Sequence, residues 1–510
     1  MIRRRDMTRI KTDLLIIGGG INGAGIARDA AMRGLSVVLA EKDDLASHTS
    51  SWSSKLIHGG LRYLEYYEFG LVRKALKERE VLLKISPNLI HPLRFVMPHN
   101  KHCRPFWMLR LGLFLYDFLY WQHSLARTKQ HRISADDPHN PLKPFIKKTL
   151  EYSDASVDDA RLVVMNAKQA MQYGASILTN TEVKGLKRVG NLWEVTLFNK
   201  DLQKESVLEA SAVVNAAGPW VDQVIKDVAD MVSSRHVKLI KGSHIVVPKL
   251  YDGDNAYILQ HDDNRIVFAI PFQNAFTLIG TTDIAYKGDR GSPKISQEET
   301  SYLLDIINVY FKKPIRKDDI VWTFSGVRPL FDSGEENPSA LTRDYVLHVD
   351  VENNEAPLLS VFGGKITTYR YLSKEALDQL KPHFPQMKAC QTGKIPLPGG
   401  DLKTNSFDDF LSSMQKKYDY LDQIHIHRLA LAYGSDMNIL MAEIHSTKDL
   451  GMYFGGTLYA HEVDYLIKHE WARTSEDILW RRTKQGLYFS KEQTKALERY
   501  LQHASVIAAE

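Results

Sequence analysis

The rhythm of apolar and polar positions changes from one stretch of the chain to the next. Residues 13–17 (DLLII) are an almost unbroken apolar run, the pattern of a strand covered on both faces. A glycine cluster follows. After it comes a stretch rich in small residues that predicts a helix ending near Gly34, and then a second apolar run over 36–40. These pieces predict one β-α-β unit. Residues 161–173 predict a further helix, with Leu162, Val163, Ala167 and Ala170 on one face. Strands are expected over 176–179 and 192–197. Val213 and Val214 lead into NAAGPW at 215–220, a strand ending in a Gly-Pro turn where backbone can meet a ligand.

From about 237 to 350 the pattern is strand-rich, as in 244–247, 265–268 and 277–279, and predicts an antiparallel sheet. Residues 357–372 return to strand, glycine turn and helix. PLPGG at 396–400 reads as a linker, and 401–510 is polar, poor in glycine and helical in pattern. The expected organisation is mainly a first domain over 12–236, mainly a sheet domain over 237–356, a return to the first domain with a linker over 357–400, and a helical domain over 401–510.

Length supports several domains, because 510 residues exceed one simple core. With 44% hydrophobic and 25% charged residues the chain is an ordinary globular one. Only two cysteines occur, Cys103 and Cys390, and neither belongs to a C-x-x-C pair. That excludes a disulfide framework and a cysteine-based metal centre, and no metal site is expected. A net charge of +5 is too mild to suggest nucleic acid, but suits an anionic substrate or membrane surface. The basic start, MIRRRDM, has no long apolar run behind it and is not a secretory signal. The most apolar long segment, 105–121 (PFWMLRLGLFLYDFLYW), contains Arg110 and Asp117. It is short for a membrane span, which needs about 20 apolar residues. The first reading is a buried core helix; an interfacial membrane-contact segment is the alternative.

Candidate chemistry begins in the β-α-β unit. Gly18, Gly20 and Gly23 fit G-x-G-x-x-G between a strand and a helix, the context that a dinucleotide fingerprint requires. Gly18 allows the tight turn, Gly20 the approach of a pyrophosphate, and Gly23 close helix–strand packing. The helix N-terminus offers N–H groups to the phosphates. Glu41 closes the second strand and can accept hydrogen bonds from the ribose hydroxyls of an adenosine. The motif alone does not separate NAD from FAD.

Longer runs carry a resemblance. They are TSSWSSKLIHGGLRYL at 49–64, LIKGSHIVVP at 239–248, IGTTD at 279–283, SGVRPL at 325–330, TRDY at 342–345, FGGKITTYR at 362–370 and WRRTKQG at 480–486. Across nearly the whole chain the sequence resembles the FAD-dependent glycerol-3-phosphate dehydrogenases, the aerobic, membrane-associated bacterial enzymes above all. Departures fall at the N-terminus and around 121–140. The resemblance implies an α/β chain: a glutathione-reductase-like FAD-binding Rossmann domain, an antiparallel-sheet substrate domain and a C-terminal helical domain. It implies oxidation of sn-glycerol 3-phosphate to dihydroxyacetone phosphate, with electrons passed to a membrane quinone. It also implies a homodimer held peripherally on the cytoplasmic face of the inner membrane. Rival readings are an oxidase that uses oxygen, an amino-acid or sarcosine oxidase on the same fold, and a flavin-binding regulator without turnover.

The implied substrate pocket holds Arg62, Arg328, Arg343, Lys365 and, more weakly, His244. Arginine forks match phosphate oxygens. Lys365, beside Gly363 and Gly364, can stabilise negative charge on a reduced flavin. His58 and Tyr63 are candidates for accepting the alcohol proton or orienting the hydroxyl. Thr49, Ser50, Ser54, Lys55, Gly59, Val183, Ala217, Gly218, Trp220, Gly326, Gly364 and Thr367 are the remaining implied FAD contacts. Taken singly, each arginine would more often be a surface ion pair.

Overall fold

A computed structural model describes residues 10–507 apart from 101–102, 123, 135–136, 138, 234, 262–264, 333–343 and 352–354, and the side chains of 504–507. Two large sheets organise it. In the first, Ile10–Ile17 lies between Lys204–Asn215 and Val37–Ala40, parallel to both. Ser176–Leu178 extends the parallel set on one side and Leu358–Phe362 on the other. Val346–Asp350 closes that edge antiparallel, while the hairpin of Thr181–Val189 and Leu192–Asn199 joins antiparallel to the long strand Lys204–Asn215. The apolar runs are continuous because both faces are covered. Helix α1 (Ile21–Met32) packs between the later helices of the same layer, and its small residues make that possible: a Cβ on Gly25 would stand 2.6 Å from Ser373 Oγ.

The second sheet has ten strands and is antiparallel except where Ala256–Gln260 runs parallel to Ile90–His99. Towards one edge, the long strand Val237–Pro248 pairs with Trp322–Phe331 and with Phe276–Gly280. The expected sheet is therefore present, but its borders differ from a contiguous 237–356. Leu56–Ile57, Ile90–His99, Lys129–Arg132 and Lys148–Val157 come from the first part of the chain and complete it. Val346–Asp350, conversely, belongs to the first sheet. Between the strands of the first part run helices α2 (Phe69–Ile85) and α3 (Phe106–Phe118). Helix α4 (Asp159–Gln172) then returns the chain to the first sheet and packs on α1.

Helix α3 is only half a core helix. Leu109, Leu113 and Tyr116 are buried, but Trp107 (68%), Leu111 (51%) and Phe114 (56%), with Trp121 (67%) beyond the helix, are exposed. A further helix, α5 (Gln297–Tyr310), was not expected inside the sheet region. Ser296 and Glu299 close its first turn in a reciprocal capping box. Its face of Leu303, Ile306, Ile307 and Tyr310 packs beneath Ile245, Val247 and Leu259 of the sheet.

After α6 (Tyr369–Leu380) and the turn at Gly399 the chain enters the helical region. Phe407–Lys417, Gln423–Tyr433, Ala460–Glu470 and Lys491–Ile507 surround their own core, which includes Phe410, Leu429, Met437, Leu466 and Leu497. Among the described residues no helix is long and apolar enough to cross a membrane.

Candidate active site

A cavity of about 560 Å³ separates the two sheets. One end is the fingerprint. Gly18 has φ +107°, and a Cβ there would stand 2.7 Å from the carbonyl of Ala216. A Cβ on Gly23 would overlap the Gly18 carbonyl, so this glycine serves packing and does not itself line the cavity. Gly20 caps α1 without a side-chain hydrogen bond of its own; the Ile21 N–H donates to Ser50 Oγ at 2.9 Å. Beside it, Glu41 is buried and lines the cavity. Each of its oxygens takes one backbone N–H, from Gly19 at 2.6 Å and from Asp43 at 2.9 Å. Burial raises its pKa, against the pull of those two N–H groups. A carboxylate has about four acceptor sites, so it retains capacity for hydroxyl donors.

The opposite wall comes from Ala217, Gly218 and Trp220 after the long strand, from Val183, and from the turn at Gly363 to Thr367. Gly363 and Gly364 have φ of +82° and +108°, and a Cβ on Gly364 would press on the side chain of Asn22 at 2.8 Å. Asn22 Nδ2 donates to the Gly363 carbonyl at 3.2 Å, and its buried Oδ1 has no partner among the described residues. Thr49 and Ser50 come from the short helical turn Thr49–Ser51 on the roof, and Thr49 Oγ1 donates to the Val327 carbonyl at 2.6 Å. Gly326 lies against Trp52, which also faces the cavity.

At the end nearest the antiparallel sheet, His58, Tyr63, His244, Arg328 and Lys365 converge on the same cavity. Lys365 Nζ lies 3.8 Å over the centre of the Tyr63 ring. Arg328 is held in place by Asp283 at 2.8 Å, the Thr282 carbonyl at 2.8 Å and Thr281 Oγ1 at 3.2 Å. A side chain at Gly242 would occupy the space of its guanidinium. His244 is fully enclosed. Its ring stacks on Phe324 at 4.6 Å, and Nε2 shares a hydrogen bond of 2.9 Å with Ser54 Oγ. Burial, then the nearby Arg328 and Lys55, push its pKa well below the ordinary imidazole value, so His244 is neutral.

Several implied residues stand elsewhere. Lys55, expected at the flavin, turns away from the cavity. It adopts φ +58°, and its Nζ is buried against both oxygens of Asp159, at 2.8 and 3.0 Å, and the Ser51 carbonyl at 2.9 Å. Gly59 does not line the cavity either; it packs under Tyr116, whose hydroxyl accepts its N–H at 2.8 Å. Arg62, on the turn Leu61–Tyr66, lies behind Tyr63 and reaches towards the Tyr66 hydroxyl at 3.5 Å, outside the cavity lining. Arg343 lies outside the described residues. Trp52, Asn22, Thr281 and Lys42 were not anticipated. Lys42 stands next to Glu41 in sequence, with Nζ 3.7 Å over the Trp220 ring; Trp52 and Thr281 sat inside the runs that carry the resemblance.

This cavity suits FAD. It has a dinucleotide fingerprint at a helix N-terminus, a buried acid for a ribose, an orphaned amide oxygen, and glycines whose positive φ brings backbone to the lining. Comparisons with known proteins agree. A family model described as FAD dependent oxidoreductase matches residues 13–370, and one described as C-terminal domain of alpha-glycerophosphate oxidase matches 390–506. The chain is 52% identical to a glycerol-3-phosphate dehydrogenase of Pseudomonas aeruginosa, covering 96% of this chain and 95% of that one. It is 48% identical to a D-erythritol 1-phosphate dehydrogenase of Brucella abortus, covering 97% and 99%. The solved glycerol-3-phosphate dehydrogenase of Bacillus halodurans, complexed with FAD, superposes with a TM-score of 0.76 at 28% identity, covering 98% of this chain and 91% of that one. The chain therefore belongs to the family of FAD-dependent glycerol-3-phosphate dehydrogenases.

Proposed function

We propose that the protein oxidises sn-glycerol 3-phosphate to dihydroxyacetone phosphate and delivers the electrons to a membrane quinone. The observation that carries this reading is the convergence of Arg328, Lys365, His58 and Tyr63 on the cavity that suits FAD, in a chain half-identical to enzymes named for that substrate. Bound FAD supplies the hydride acceptor. The chain's own residues supply the rest. Gly18, Gly20, Glu41, Thr49, Ser50, Ser54, Val183, Ala217, Gly218, Trp220, Gly326, Gly364 and Thr367 hold the cofactor, with Gly23 keeping the helix close behind. Arg328 is pinned by Asp283, the Thr281 hydroxyl and the Thr282 carbonyl, so its guanidinium meets a phosphate without reorganisation. Arg343 is the further cation of the cradle, to be tested by substitution; Arg62, outside the cavity lining, is not assigned to it. Lys365, above Tyr63, brings positive charge to the reacting end. His58 accepts the hydroxyl proton. His244 serves it poorly, because burial beside Arg328 removes its basicity near neutral pH.

The test is anaerobic bleaching of the flavin band by glycerol 3-phosphate, D-erythritol 1-phosphate and glycerol. Rapid bleaching by glycerol 3-phosphate alone is expected, and bleaching by glycerol at the same rate overturns the phosphate requirement. A second reading, a four-carbon polyol phosphate as preferred substrate, draws on the Brucella abortus relative at 48% identity; faster bleaching by D-erythritol 1-phosphate establishes it. Reoxidation of the bleached enzyme by a quinone analogue much faster than by air separates a dehydrogenase from an oxygen-using oxidase. His58→Asn is expected to slow reduction by about 10²-fold or more and to remove the acidic limb of the kcat/KM profile.

Peripheral contact with the cytoplasmic face of the inner membrane and a homodimer complete the reading that the resemblance implies, and the exposed face of α3 supports the membrane contact. Trp107, Leu111 and Phe114 project from one helix with Arg110 among them, the composition of an interfacial segment. Trp107→Glu with Phe114→Glu is expected to abolish sedimentation with anionic vesicles while leaving turnover of a soluble acceptor intact. Retained sedimentation rejects α3 as the contact.

A further inference from the structure

The run WRRTKQG at 480–486 lies in the C-terminal helical domain, away from the cavity, yet its side chains reach into both other parts of the molecule. Arg481 and Arg482 close on a single carboxylate, Asp44. Arg481 Nε donates to Oδ2 at 2.6 Å; Arg482 donates to Oδ2 from Nη1 and to Oδ1 from Nη2, each at 2.8 Å. All three side chains are buried. Arg482 is itself fixed by two bonds to the Glu470 carbonyl at 2.7 and 3.2 Å, and Arg481 is braced by Asp477 and by Glu476 at 3.1 Å. Burial would push the Asp44 carboxyl up, but the two guanidinium groups hold its pKa below the ordinary value.

Asp44 sits in the middle of the loop that forms one wall of the FAD cavity. Glu41, Lys42, Ala46, Ser47, His48, Thr49 and Ser50 all line it, on either side of Asp44. The same loop is tied to the fingerprint, where the Ala46 N–H donates to the Gly19 carbonyl at 3.1 Å and Glu41 accepts from the Gly19 N–H. Its outer side is held by Asp43, which pairs with Lys200 at 2.8 Å and His48 at 2.9 Å. Asp44 is thus the point at which the C-terminal domain grips the cofactor loop.

We propose that Arg481 and Arg482 are positioning residues for FAD: through Asp44 they hold the 41–50 loop in the shape that receives the adenosine half of the cofactor. A buried carboxylate stripped of both partners is costly, so without them the loop opens towards water. FAD would then have to order the loop as it binds. Ordering even a few side chains costs enough to weaken binding about tenfold. The C-terminal domain would in this way be part of the cofactor site without touching the cofactor.

The test compares two pairs that join the same domains. Lys168 on α4 binds Asp436 and the Tyr465 hydroxyl, both at 2.8 Å, and contacts no residue of the 41–50 loop. FAD is stripped from the full-length wild type, Asp44→Asn and Lys168→Met, and its rebinding is titrated, with the thermal midpoint of each apoprotein recorded. Asp44→Asn is expected to weaken FAD at least about tenfold, with turnover recovering when FAD is saturating, while Lys168→Met leaves FAD affinity at the wild-type value. Unchanged affinity in Asp44→Asn overturns the proposal. Equal weakening in both variants also overturns it, because that is general destabilisation. If Asp44→Asn fails to fold, Arg482→Lys keeps the charge and part of the bonding. It is expected to fold and to loosen FAD by a smaller factor, and wild-type affinity there is equally decisive against the proposal. Failure of the wild type to rebind FAD would instead sink the assignment of the cavity to that cofactor.

Discussion

Two seams run through the molecule, and they are built from different materials. The seam between the sheets is the cavity of about 560 Å³, where backbone at Gly18, Gly20, Gly363 and Gly364 meets polar and aromatic side chains such as Glu41, Trp52, Tyr63 and Arg328. The seam between the antiparallel sheet and the C-terminal helices encloses about 890 Å³. Its cations are already matched by the protein: Arg428 by Glu462, Arg482 by Asp44, Lys484 by Asp158 and Lys55 by Asp159. Two of its histidines, His91 and His425, are kept neutral by burial, which lowers the pKa of His427 as well. The first seam leaves room and hydrogen-bonding capacity for a ligand. The second spends its polar groups on joining domains. Substitutions at the second seam should therefore move stability, apart from the Arg482–Asp44 contact, which also holds the cofactor loop and should move FAD binding, and substitutions at the first should move chemistry.

The largest expected effect is at the joint. Arg161 is fully buried, and Glu470 from the C-terminal domain accepts from both its terminal nitrogens. Glu470→Gln leaves that guanidinium without its countercharge and is expected to cost about 3–5 kcal/mol in denaturant unfolding. Flavin content per folded molecule should stay at the wild-type value. Loss of flavin in proportion to stability would erase the distinction between the seams.

Next comes pH. Burial lowers the His91 pKa from 6.5 to about 4, and the ring donates through Nε2 to the Asn88 carbonyl at 2.9 Å. In the unfolded chain the same group titrates near 6.5. Between these values the unfolded state binds more protons, so stability is complete above about 6.5 and falls as pH drops towards 4, by up to about 3 kcal/mol for this residue. His425, also lowered to about 4, adds a slope of the same sign. Urea midpoints at pH 7.5 and pH 5 should differ for the wild type and differ less for His91→Asn; an equal loss in both would mean that other groups carry the acid sensitivity.

At the cavity, Arg328→Lys keeps a cation but loses the fork that Asp283 and Thr282 hold in place. The expected loss is about 1.5–3 kcal/mol in transition-state binding, seen as a tenfold to hundredfold lower kcat/KM for the phosphorylated substrate. Stability and flavin content should change little. An unchanged kcat/KM would remove Arg328 from the phosphate cradle.

What the sequence made legible follows range. The fingerprint, Glu41 and the first strand are local, and each lies where its spacing put it. The α5 helix was equally local but went unread, although Ser296 and Glu299 stand at capping-box spacing. The antiparallel sheet was recognised only in its 237–356 part, because no local pattern says that Ile90–His99 will lie beside Ala256–Gln260. Side-chain direction was the other limit. Ser54 and Lys55 are neighbours in one motif, yet the left-handed backbone at Lys55 sends its amine into the other seam. Arg62 and Tyr63 divide in the same way: Tyr63 faces the cavity and Arg62 lies behind it. A motif named the right loop in both cases without saying which of its side chains turn inward.

Ser54 offers the finest discrimination between neighbouring groups, and the smallest effect. Its hydroxyl shares a hydrogen bond with His244 Nε2 at 2.9 Å, while the Nδ1 of that ring is buried with no partner among the described residues. Ser54→Ala leaves both ring nitrogens without a described partner. The expected cost is about 1 kcal/mol, the usual worth of one neutral hydrogen bond, or less than about tenfold in kcat/KM. The sharper reading is the pH profile. A change in the His244 environment can move the acidic limb only if His244 itself exchanges the proton. With His58 as the acceptor, the limb stays where it is in the wild type, and only the height of the profile falls. Steady-state kinetics of Ser54→Ala across pH 5.5–9 make the comparison. A shifted limb would transfer the role of base from His58 to His244, and would mean that substrate or cofactor restores the basicity that burial beside Arg328 removes.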